Sequence, residues 1–232
     1  MTVTETPTET PMPSADPTVV ADRYRLETGL FLRPTPAGAY YAVCGPEPDP
    51  ARRLLLALMA EPVAPALTVG AVRAWTGEDD DVAAVEVLVR AQDRGWIEGW
   101  SEASFAETES LEVVLPRLLP ALSSTGMALL ADDQGFAVSA HGFDDQAAEE
   151  LSALSADLAI LHARHRSLLH RNTSLETSAW ALVDAVGNSQ VGFWPLFIGD
   201  HRFVLVIGGV PRTNHPLLTD LIWTLTIRYG DD

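Results

Sequence analysis

The order of secondary-structure signals in the second half of the chain constrains the fold more than any single motif. Between about Leu111 and Tyr229 the patterns predict a helix, two strands joined by a turn, a long helix, three strands and a final helix. The first two strands form a hairpin within residues 126–142, because Asp132-Asp133-Gln134-Gly135 supplies turn residues between two apolar runs. This order predicts an α+β domain.

Two apolar patterns predict how this half is packed. The run Phe203-Val204-Leu205-Val206-Ile207 is nearly all apolar, which is typical of a central strand that is covered on both faces. The long helix begins after a capping Asp144. Its predicted core stripe recurs in steps of three and four and consists of Ala147, Leu151, Leu154, Leu158, Leu161, His165 and Leu168.

The αββαβββα order resembles the roadblock/LC7 domain, a profilin-like platform. The resemblance covers about half the chain and rests on the element order, the hairpin within 126–142 and the apolar strand before Gly208-Gly209. It implies a homodimer that docks a Ras-like small GTPase, as regulators of the MglB type do, or a motor or trafficking complex. It implies no catalytic motif that could be carried over and no cofactor.

The dimer interface is predicted from a second stripe on the long helix and from the strand that follows it. Small side chains on that stripe allow a second helix to approach, although alanine is also simply a good helix former. The resemblance implies that the strand near 179–186 pairs across the dimer, which would protect an apolar edge. The predicted interface residues are Ala153, Ala156, Ile160, Ala163, Trp180 and Leu182.

Two clusters are candidates for contact with a partner. His162, Arg166 and His170 lie in steps of four at the basic end of the long helix, and Trp194 and Phe197 flank Pro195 in a predicted strand. A metal site at the histidines is disfavoured, because zinc needs three or four converging ligands and neighbouring arginines repel a dication. The basic end could dock an anionic partner surface, whereas the aromatic pair belongs either to the core or to a contact site.

The first half of the chain predicts a separate small domain. Residues 1–22 form an acidic tail rich in Thr, Pro and Glu that is expected to be disordered, and the boundaries are drawn at 23–104 and 105–232. A hairpin is predicted around Pro34 to Gly38, followed by helices that start near Pro50, Thr68 and Asp79–Asp81 and by a strand at 96–100. Three helices and a strand resemble a winged-helix domain.

Composition narrows the function further. A formal net charge of −17 disfavours binding to nucleic acid, because phosphate neutralisation needs clustered basic residues. The chain lacks long apolar runs and signal-peptide regions, and Cys44 is its single cysteine, so a cytoplasmic protein without membrane insertion is predicted. Nucleotide-binding glycine motifs and a hydrolase nucleophile motif are missing from the sequence, so an enzyme is not predicted.

The sequence therefore predicts a non-enzymatic, dimeric regulator or scaffold that binds a Ras-like small GTPase. One alternative is a nucleotide-independent adaptor in a bacterial secretion, pilus or motility complex. A second alternative is a winged-helix transcriptional regulator, in which the recognition helix would present basic residues to the major groove.

Overall fold

The structure is a computed structural model that describes residues 18–20, 24–27, 29–173 and 177–230, with the backbone alone for 18–20 and 170–173. It is a mixture of helix and sheet, which confirms the α+β class. Most of the predicted tail, residues 1–17 and 21–22, lies outside the described residues. Residues 18–20 form strand β1 (Thr18–Val20), which pairs with β2 (Tyr24–Leu26).

The first half of the chain starts a helix where a hairpin is predicted. In chain order it contains β3 (Phe31–Pro34), α1 (Pro36–Val43), α2 (Pro50–Ala57), α3 (Val69–Thr76), α4 (Asp81–Asp93) and β4 (Ile97–Trp100). The predicted hairpin is wrong because the Thr35 side chain accepts a hydrogen bond from the Gly38 N–H and Pro36 takes the first helical position. Strand β3 pairs with β4 instead.

The other helix starts in this half are confirmed. The side chains of Asp49, Thr68 and Asp80 each accept a hydrogen bond from the backbone of the helix that they precede. Helix α3 ends at Gly77, whose φ of 69° is the left-handed conformation that favours glycine at a helix end. The resemblance to a winged-helix domain stays a prediction.

The second half has the predicted element order. It contains α5 (Leu111–Leu118), a 3-10 turn (Leu119–Leu122), β5 (Ala128–Ala131), β6 (Ala137–His141), α6 (Asp145–Thr173), β7 (Trp180–Val183), β8 (Ser189–Ile198), β9 (His201–Gly208) and α7 (Leu217–Tyr229). The five strands form one antiparallel sheet in the order β6-β5-β9-β8-β7. Strand β9 lies at its centre and is buried along most of its length, which confirms the two-sided strand.

The sheet is covered on both faces because successive side chains of a strand point in opposite directions. On one face Leu130, Leu196 and Leu205 join a large apolar cluster with residues of α1, α5 and α7. On the other face Leu129 and Val206 belong to a smaller cluster that packs against α6. The sheet therefore lies between the first half of α6, which packs on it through Ala148, Leu151 and Leu158, and the helices on the other face.

The larger apolar cluster runs through both halves of the chain. Trp223 of α7 is 1% exposed, and its Nε1–H donates to the Glu61 carbonyl oxygen at 2.8 Å. Arg33 of β3 places Nη2 at 2.5 Å from Oδ1 of Asp220 in α7. Packing thus crosses the predicted boundary, and the division into 23–104 and 105–232 stays a prediction.

Helix α6 presents only part of the predicted leucine stripe to the sheet, since Leu151 and Leu158 pack against the smaller cluster. Among its described side chains the buried ones are small: Ala148, Ser152 and Ser155. The predicted core stripe is wrong at Leu154, Leu161 and Leu168, which are 38%, 39% and 53% exposed, and at His165, which is also exposed. The helix lies close to the β5–β6 turn, where a Cβ on Gly135 would come within 3.2 Å of the Ala156 Cβ. Small residues permit this approach and leave Leu154, Leu161 and Leu168 outside the contact.

Candidate protein-interaction surfaces

The exposed leucines of α6 recur with the spacing of a helix-pairing seam. Leu154, Leu161 and Leu168 are seven residues apart, and Ile160 beside them is 56% exposed. We call these four residues the α6 apolar face. A seven-residue apolar repeat is typical of a helix that packs along a second helix. The repeat is visible in the sequence, where the same spacing also fits a core stripe.

Strand β7 ends the sheet and carries apolar side chains into solvent. It pairs with β8 on one side and is the last strand in the sheet order. Leu182, Val183 and the following Val186 are 62%, 59% and 81% exposed. We call these three residues the β7 edge. An edge strand of this kind is a template for pairing with a strand of another chain.

A contact between two aromatic rings places the β7 edge beside α6. Trp180, at the start of β7, donates its Nε1–H to Nδ1 of His162 at 3.3 Å, with the rings edge to face. This bond requires an unprotonated Nδ1, and partial burial lowers the pKa of His162. The two exposed apolar surfaces therefore lie on neighbouring elements joined by a specific contact.

The residues predicted for the dimer interface have unequal surroundings. Ala153, Ala163 and Leu182 are exposed, as is Ile160, which belongs to the α6 apolar face. Ala156 is half-buried against the β5–β6 turn. Because α6 packs through Ala156, a charge at that position would disturb the monomer. The dimer interface stays a prediction, and the leucines test it better than this alanine.

A groove of about 1250 Å³ separates the C-terminal half of α6 from α1 and the start of α2. We call it the α1–α6 groove. Tyr41 stacks on Trp96 with ring centroids 3.9 Å apart, and Arg52 and Arg94 lie over these rings at 5.1 and 4.9 Å. Such cation–π contacts hold guanidinium groups against aromatic faces. These contacts form an aromatic wall of the groove and hold α1 against the turn after α4.

Charged and titratable groups line the same groove. Arg166 of α6 forms an ion pair across it with Glu47 of the α1–α2 loop. The Tyr41 hydroxyl donates to Asp49 Oδ2 at 3.1 Å. Cys44 is half-buried in the lining, and this burial raises the pKa of its thiol against the opposing effect of Arg52. The thiol is therefore protonated at neutral pH.

The predicted partner-binding residues do not form one surface. His162 and Arg166 both line the α1–α6 groove. The His170 side chain lies outside the described residues. Trp194 is half-buried and packs against the large core cluster. Phe197 lines a neighbouring pocket of about 590 Å³, which shares Gly45, Pro48 and Arg52 with the groove. The histidine–arginine pair is thus the part of this prediction that the structure brings together.

Within the described part of the chain, no group of three or more His, Cys, Asp and Glu side chains is placed to hold a metal ion. Across the same residues, no helix combines the length and hydropathy needed to cross a bilayer.

Comparison with known proteins identifies one similar structure. No protein-family model and no curated protein sequence matches the chain. A crystal structure of a roadblock/LC7 domain from Streptomyces avermitilis is similar over 52% of this chain and 93% of that chain, with 14% sequence identity and a TM-score of 0.33. At that TM-score the likeness assigns neither a family nor a function to this chain.

Proposed function

We propose that the chain is a non-enzymatic homodimer that regulates or scaffolds a Ras-like small GTPase. The observation that carries the dimer is the joint exposure of the α6 apolar face and the β7 edge on neighbouring elements. Isolated exposed apolar residues are ordinary, but a seam on a helix beside an open strand edge is typical of an association surface. A second copy would cover both at once.

The charges along α6 favour an antiparallel arrangement of the two helices. Its first half carries Asp145, Glu149, Glu150 and Asp157, and its second half carries Arg164 together with Arg166, which is paired with Glu47 within the chain. A twofold axis across the helix places the acidic half of one copy beside the basic half of the other. Opposite charges then face each other on either side of the apolar seam, which favours this register over the parallel one.

The partner class comes from the resemblance of the element order to roadblock/LC7 domains. In that family a dimer with a shared sheet docks a small GTPase. An effect on hydrolysis would come from reshaping the partner's own site, because no arginine of this chain is assigned to a catalytic role. The paired sheets would supply the platform, and the groove beside His162 and Arg166 would lie at its rim.

Two other functions make different demands on the same chain. A nucleotide-independent adaptor in a secretion, pilus or motility complex would use the same dimer without a GTPase. A transcriptional regulator would need basic residues free on α4, but Arg90 pairs with Glu86 and Arg94 lies over Trp96. These contacts favour a protein-binding function over DNA readout.

Affinity capture from native lysate tests the proposal. The tagged chain is incubated in parallel with a non-hydrolysable GTP analogue and with GDP. A small GTPase retained with the analogue alone supports regulation of a GTPase. Recovery of secretion, pilus or motility components with either nucleotide would favour the adaptor, and the GTPase assignment would then be wrong.

A further inference from the structure

The α1–α6 groove is larger than a typical small-molecule site and has the lining of a peptide site. Pockets for small ligands usually enclose about 300–1000 Å³, whereas this groove encloses about 1250 Å³ and is open to solvent. Tyr40, Tyr41 and Trp96 supply aromatic surface, and Pro36 and Pro48 supply rigid apolar surface. Grooves lined in this way bind proline-rich segments in an extended left-handed conformation.

The chain itself contains a segment with the matching chemistry. Residues 1–17 include Pro7, Pro11, Pro13 and Pro17 and lie outside the described residues. We propose that this proline-rich segment binds in the α1–α6 groove of its own chain, with its prolines against the aromatic wall. The contact goes beyond the proposed function, because it makes the groove a site that the chain occupies itself.

The segment can reach the groove from its point of attachment. It leads into β1 at Thr18, and β1 contacts α4. Helix α4 has 13 residues and is therefore about 20 Å long, and the turn after it carries Trp96 of the groove wall. Seventeen residues at about 3.1 Å each span about 50 Å, more than the full length of α4.

Charge favours the groove over the rest of the surface. The segment carries Glu5, Glu9 and Asp16 and contains no basic residue. In a chain with a formal net charge of −17, most of the surface repels such a segment. The groove is formally neutral, because Arg52 and Arg166 in its lining offset Asp49 and Glu47. Arg52 is held by Asp49, but Arg166 is bound to a half-exposed Glu47 that a segment carboxylate can replace.

Cys44 gives a direct readout because it lines the groove and is the single cysteine. The rate of its alkylation by iodoacetamide is followed on the full chain by intact mass. If the segment occupies the groove for about nine-tenths of the time, the thiol reacts about tenfold more slowly than in an open groove. Pro7→Ser, Pro11→Ser, Pro13→Ser and Pro17→Ser combined should therefore raise the rate by about tenfold.

Two further samples separate occupancy from other causes. A matched variant with Thr2→Ser, Thr4→Ser, Thr8→Ser and Thr10→Ser changes the same segment, keeps every hydroxyl and proline, and should react at the original rate. A synthetic peptide of residues 1–17, added to the proline variant, should restore protection. Equal rates for the original chain and the proline variant would overturn the proposal, as would a peptide that leaves the variant's rate unchanged.

Discussion

Replacing Leu161 and Leu168 together by serine should weaken the dimer about a thousandfold. The two side chains are 39% and 53% exposed, so the monomer's core keeps most of its packing. Full burial of a leucine is worth about 2 kcal/mol, and covering the exposed part of each is therefore worth about 1 kcal/mol. A twofold dimer covers each residue twice, which totals about 4 kcal/mol and three orders of magnitude in the dissociation constant.

Sedimentation equilibrium over a wide concentration range measures this constant against a monomer mass of 25.0 kDa. The matched control replaces Val113 and Val210 by serine, because these residues are 50% and 49% exposed but belong to neither α6 nor β7. The control should dimerise like the original chain. The reasoning is refuted if the leucine variant keeps the original dissociation constant, or if the original chain is monomeric at every concentration.

Two predictions concern the monomer. Gly38→Ala should destabilise the fold by about 2–3 kcal/mol in urea unfolding, because its Cβ would lie 2.0 Å from the Trp96 carbonyl oxygen. The control Gly70→Ala, whose Cβ would have no atom within 4 Å, should be neutral or stabilise by up to about 1 kcal/mol. Equal effects of the two substitutions would contradict the close contact between Gly38 and Trp96. The lowered pKa of His162 means that its contribution to stability is present above the ordinary pKa of 6.5 and is lost as the pH falls below it. His162→Gln should flatten the dependence of the unfolding free energy on pH in that window, and an unchanged slope would count against the partial burial of this imidazole.

Local signals in the sequence predicted most element starts. Asp49, Thr68 and Asp144 each stand before an apolar helical pattern, and each caps the helix that follows. These signals depend on neighbouring residues alone, so tertiary contacts do not override them. The same reasoning failed at Thr35, where the following Pro36 and Gly38 fit either a turn or a capped helix. Pairing of β3 with the distant β4 decided between them.

The pattern of α6 predicts only part of the face that it buries, namely Leu151 and Leu158. A stripe in steps of three and four describes both a helix on a core and a helix that pairs with another helix. The sheet accepts Ala148, Ser152 and Ser155 because the helix lies close to it, and Leu154 and Leu161 then point away. How closely α6 approaches the sheet depends on the shape of the sheet surface, and the sequence of the helix alone carries no information about that shape.

The α1–α6 groove as a whole could not be predicted from the sequence. Its lining comes from α1, the α1–α2 loop, the turn at 95–96, the end of α6 and residues 213–214. Only the basic end of α6 carried a signal in sequence, through His162 and Arg166. The stack of Tyr41 on Trp96 joins residues far apart in the chain, and no spacing rule connects them.

The most direct test of the proposed function is the affinity of the purified chain for the captured GTPase in its two nucleotide states. Titration calorimetry with the partner loaded with a non-hydrolysable GTP analogue and with GDP gives both dissociation constants. A regulator or effector should prefer the analogue-bound form by at least about tenfold, which corresponds to about 1.4 kcal/mol. Equal affinities for the two forms would contradict the proposal that the dimer distinguishes the GTP-bound from the GDP-bound form of a small GTPase.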